Sequence, residues 1–70
     1  AAPFPLFNLS RAQRALGRRE DEHASIELAL SRDAFFLPAV LAKAEVLRAL
    51  GREAEAFELL RLLSKLQSRD

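Results

Sequence analysis

Apolar positions recur along this chain at the spacing of one helical face, and charged residues fill the gaps between them. Gly17-Arg18, Ser31-Arg32-Asp33 and Gly51-Arg52 interrupt the pattern, so it predicts four helices. The first is expected from about Phe4 or Pro5 to Leu16, because proline is tolerated in a first turn whose N–H groups lack helical partners. Gly17 stops it by accepting the left-handed conformation. The second is expected over Arg19 to Ser31. Glu20, Asp21 and Glu22 favour the positive end of its dipole, and Ile26, Ala29 and Leu30 form an apolar stripe that Leu28 widens. Ala34 to Leu37 leads into the third, with Leu37 held extended by the proline after it. That helix is expected from Pro38 to Leu50, with Val40, Leu41, Ala44 and Leu47 inward and Gly51 as its stop. The fourth is expected from Glu53 to Leu66, with Ala56, Phe57, Leu59, Leu60, Leu62, Leu63 and Leu66 as its apolar set. The tail Gln67 to Asp70 is expected to fray.

The pattern repeats. Arg14-Ala15-Leu16-Gly17-Arg18 returns as Arg48-Ala49-Leu50-Gly51-Arg52, an offset of 34 residues. At the same offset Leu28 falls on Leu62, Ile26 on Leu60, Ala29 on Leu63, Phe7 on Leu41 and Ser10 on Ala44. Glycine recurs where a helix must end, and small residues recur where helices must approach. A period of this length marks a helical repeat rather than mere richness in alanine and leucine.

On these residues the chain resembles two tetratricopeptide repeats, from about Pro3 to Leu66. Ser10 and Ala44 match the small residue midway along the family's first helix. Gly17 and Gly51 match its inter-helix glycine, Ala56 its early small residue in the second helix, and Ala29 its later alanine. Ala29 to Asp33 looks like the closing turn. Glu22 departs from the family at the early alanine of the first repeat. Leu6, Gln13, Val40 and Leu47 stand at the aromatic positions, and the closing proline has moved to Pro38. The resemblance implies an all-α fold of the α-solenoid type: four antiparallel helices forming two helix–turn–helix repeats, at about 3–34 and 37–68, within one domain spanning 1–70.

Composition narrows the chemistry. With 70 residues and no cysteine, neither disulfides nor thiolate-bound metal can staple the fold, so helix packing or self-association must supply its stability. Eleven basic and ten acidic side chains leave a net charge of +1, too balanced to argue for nucleic acid or a membrane surface. Arg11, Arg14, Arg18 and Arg19 lack aromatic interleaving, which also speaks against nucleic acid. His23 lies beside Glu20, Glu22 and Glu27, but without a second histidine or a cysteine it reads as a surface residue rather than a metal ligand. Asp21 and Glu22 point to different faces, the serines lack a base, and both glycines serve as helix stops. No catalytic residues and no cofactor are therefore expected. The start has no basic leader and no long apolar core, so a signal peptide is not expected, and a cytoplasmic location follows as the default. A chain without methionine reads as a piece of something longer.

Two surfaces are candidates for binding. In the family the first helices of successive repeats line a groove. By correspondence the groove residues are Phe7, Asn8, Arg11 and Arg14, with Leu41, Ala42, Glu45 and Arg48. Guanidinium forks suit a carboxylate or phosphate, so an acidic or C-terminal peptide is one guest. The alternative is that these arginines form a solvated face with their stems over apolar neighbours. The family's carboxylate clamp needs lysine and asparagine where Phe7 and Arg11 stand, so chaperone-tail binding is not expected. The second surface is the fourth helix, whose apolar stripe exceeds what one neighbour can cover; Leu59, Leu62 and Leu66 are its candidate contacts. The expected function is a protein–protein interaction or scaffolding module, not an enzyme in itself, that binds a partner peptide or helix or forms a homodimer. The alternative is an accessory domain before a bacterial oxygenase or transferase, since Asp33 to Ala39 followed by Leu50-Gly51-Arg52 is similar to repeats found there.

Overall fold

Two glycines close two helices by the same set of hydrogen bonds. Gly17 has φ 77° and Gly51 has φ 80°, a region open to glycine at little cost. The Gly17 N–H donates to the Arg14 carbonyl at 3.0 Å, and the Arg18 N–H reaches back to the Gln13 carbonyl at 2.9 Å. The Gly51 N–H donates to the Arg48 carbonyl at 3.0 Å and the Arg52 N–H to the Leu47 carbonyl at 2.8 Å. Each set is a Schellman closure, which satisfies the last carbonyls of the helix and reverses the chain. The repeated pentapeptide therefore encodes a repeated turn.

The computed structural model describes residues 2–68. It shows α1 (Phe4–Ala15), α2 (Arg19–Arg32), α3 (Leu37–Ala49) and α4 (Glu53–Ser68), with no strand among the described residues. The fold is all-α. Chain neighbours pack: α1 on α2, α2 on α3, α3 on α4. Short Gly-centred links fold the first pair and the last pair back on themselves as αα-hairpins. The extents of 38 × 30 × 15 Å describe a slab about two helices thick. No helix among the described residues is long and apolar enough to cross a membrane.

The core sits between α2 and α3. Ile26 and Ala29 pack with Ala39 and Val46, all excluded from solvent, and Phe7, Leu30, Phe36 and Leu50 border them. Ser25 donates to the Gln13 side-chain oxygen at 2.7 Å, a polar tie between α1 and α2. Ala44, Leu47, Ala56 and Leu63 are also buried, on α3 and α4.

Several sequence expectations are corrected. Leu37 is the first helical residue rather than an extended one. Phe36 is extended instead, and its carbonyl accepts from the Ala39 N–H at 3.0 Å and the Val40 N–H at 3.2 Å. Proline lacks only an N–H that has no helical partner anywhere in the first turn, so α3 can start one residue before it. Leu41 is exposed and Val40 half-buried, while Ala39 and Val46 are buried. A single inward stripe was too simple, because α3 packs on two helices and buries two flanks. Leu28 is exposed rather than part of the stripe. α4 runs on through Gln67 and Ser68, where fraying was expected, while Arg69 and Asp70 lie outside the described residues. His23 is half-buried, not on the surface, with its Nε2 3.4 Å from a Glu27 oxygen.

Candidate partner-docking surfaces

The first surface is a cleft of about 580 Å³ between α1 and α3. Six of the expected groove residues line it: Phe7, Arg11 and Arg14 from α1, and Leu41, Ala42 and Glu45 from α3. Asn8 is exposed and lines no hollow among those described. Arg48 stands outside the cleft, in a shallower recess that Arg14 and Glu45 share. The helical period explains the division. Phe7, Arg11 and Arg14 recur every three or four residues on one face of α1, whereas Asn8 turns about 100° away.

One pair of opposite charges is bonded across the cleft. Arg14 donates to Glu45 at 2.6 Å, bridging the two helices. The Arg11 guanidinium lies over the Phe7 ring, 5.8 Å from its centroid, a cation–π contact. Glu22 of α2 also lines the cleft and was not foreseen as part of it. Its residue is only 2% exposed, and its Oε1 has no hydrogen-bond partner in the structure. Burial pushes the Glu22 carboxyl above its usual range, and the Arg14 and Arg19 guanidiniums pull it part of the way back. Two carboxylates thus share the cleft with two guanidiniums. The result is a charge-balanced cleft rather than a cationic one, which weakens the case for an anionic guest. The sequence did carry a signal for Glu22: it replaces alanine at a position the second repeat fills with Ala56.

The second surface lies on α4, where two flanks are open. Leu59, Leu62 and Leu66 face a hollow of about 320 Å³ that they share with Leu30, Phe35, Leu37 and Val40. This flank is strongly apolar, yet Leu62 is 53% and Leu66 52% exposed. Phe57 and Leu60 stand elsewhere, in a recess of about 280 Å³ with Arg48, Glu53 and Ala56. The three expected leucines therefore look back across α2 and α3. The two residues that border Arg48 were in the apolar set but not among the expected contacts.

Comparison with family models, with curated proteins and with solved structures yields no match to this chain.

Proposed function

We propose that this chain is a protein–protein interaction module, two tetratricopeptide-like hairpins stacked as a short solenoid. Its work is to hold a partner peptide or helix or a second copy of itself. The observation that carries this reading is the apolar hollow of α4. Single exposed leucines are ordinary on protein surfaces, but a contiguous group is not. Here Leu62, Leu66, Leu37 and Phe35 are all exposed around one hollow. Covering them removes apolar surface from water at about 25 cal/mol per Å² before the costs of association are met.

The repeated turn geometry supports the stacked arrangement, because two similar hairpins present similar edges. The polar cleft is the weaker docking surface, since its formal charges balance and Arg14 is already bonded to Glu45.

Sedimentation over a range of concentrations tests the reading. The expected result is association of the native chain and a shift to monomer on Leu62→Glu, with helicity unchanged by circular dichroism. A native chain that stays monomeric throughout ends the self-association arm. Association that ignores Leu62→Glu removes the hollow as its seat.

A further inference from the structure

The second hairpin lacks a covering that the first hairpin has. At an offset of 34 residues, Ile26 corresponds to Leu60, His23 to Phe57, Glu22 to Ala56 and Arg14 to Arg48. In the first hairpin α3 seals this edge: Ile26 is 0% exposed, and Arg14 bonds Glu45 of α3 at 2.6 Å. In the second hairpin the same edge is bare. Leu60 is 39% and Phe57 65% exposed, and they line one recess with Arg48. Among the described residues the Arg48 side chain makes no hydrogen bond or ion pair.

The molecule thus contains a template for what fits this edge. α3 meets its edge with small apolar residues, Ala39 and Val46, and places Glu45 against the arginine. We propose that the α3–α4 edge docks an acidic amphipathic helix of a partner protein, seated on Leu60 and Phe57 with a carboxylate paired to Arg48. This rests on the reading of the chain as an interaction module and specifies the partner's chemistry. Glu53 also lines the recess, where the first hairpin has Arg19, so the partner's acid is confined to the Arg48 side. A second copy of this chain fits poorly. Its α1, set in the place α3 takes, offers Arg11 where α3 offers Glu45, and two guanidiniums would meet. Like charges across an interface select against a partner.

The probe is a labelled, end-capped peptide with the sequence of residues 36–50, titrated into the intact chain and read by fluorescence anisotropy. Saturable binding of one peptide per chain is expected. Arg48→Glu in the protein should weaken it about fivefold, in keeping with a partly exposed pair. Glu45→Arg in the peptide should weaken it similarly, and the two changes together should restore it. Leu60→Glu should abolish binding with the circular dichroism spectrum intact. Absence of saturable binding overturns the inference. So does binding indifferent to charge at Arg48, the outcome if the peptide merely displaces α3 and pairs with Arg14. Either failure leaves the Leu62→Glu sedimentation result standing, so the two readings fall separately.

Discussion

The Arg14 guanidinium and the Glu45 carboxylate meet at 2.6 Å from helices that are not neighbours along the chain. Their side chains are 51% and 57% exposed, and that exposure decides how much the bridge stabilises. Pairs this open to water contribute about 0–1 kcal/mol, because solvent screens the charges and two long side chains lose freedom. Glu45→Gln should therefore lower stability by less than about 1 kcal/mol. A double-mutant cycle with Arg14→Gln, followed by urea unfolding, measures the coupling. A coupling well above that size would show that the pair is far drier than its exposure indicates.

Gly17 and Gly51 offer a sharper test. A Cβ built at either glycine meets nothing within 4 Å, so any substitution cost there is conformational rather than steric crowding by neighbours. Gly51→Val should cost roughly 1–2 kcal/mol, since a β-branched residue resists the left-handed region. Gly17→Val should cost nearly the same, because φ differs by only 3° between the two turns (77° against 80°). Thermal unfolding of both variants checks this. An unchanged midpoint for either variant would contradict the turn geometry, and a large disparity would contradict the equivalence of the two hairpins.

The helices were legible because their ends carry strong local chemistry. Gly17 and Gly51 fixed two ends, and acidic residues marked the starts of α2 and α4. The inner faces were less legible. Periodicity identifies an apolar stripe but not how many neighbours divide it, so Leu41 and Leu28 were placed inward while Ala39 and Val46 were missed. Most of the cleft could be read by correspondence: Phe7, Arg11, Arg14, Leu41 and Glu45 do come together. Their mutual neutralisation could not be read, because the Arg14–Glu45 bridge joins residues far apart in sequence. Glu22 stood out only as a misfit to the repeat, and its burial depends on packing that no local pattern reveals.

Phe36 joins the two hairpins through aromatic contacts. Its ring stands edge-on to Phe4 at 4.9 Å and to Phe7 at 5.5 Å. Such pairs contribute beyond their buried area. Phe36→Ala should cost about 2 kcal/mol, below the range for a fully buried phenylalanine because Phe36 is only half-buried. The adjacent Phe35 is 77% exposed and serves as the control, with Phe35→Ala close to neutral in a monomeric sample. Urea unfolding of both variants decides the matter. Equal losses would mean that Phe36 does not anchor α3 to α1.

Glu22 should make stability depend on pH in a direction opposite to that of an ordinary ion-paired carboxylate. Burial raises its folded-state value above the usual 4.5, against the pull of Arg14 and Arg19. Between those two values the folded chain holds a proton that the unfolded chain has released. Stability from this group is therefore fully present below the unfolded value and is lost as pH rises through the folded one. Glu22→Gln keeps the shape and removes the buried charge. The variant should be more stable than the native chain at pH 7, and the gap should close once acid protonates Glu22 in both folded and unfolded chains. Other carboxylates titrate as well, but their contributions largely cancel in the difference between the two proteins. Paired urea titrations at pH 7 and pH 4 give that difference directly. A variant that is less stable at pH 7 would mean that the Arg14 and Arg19 attraction outweighs burial and that Glu22 serves the fold as a charge.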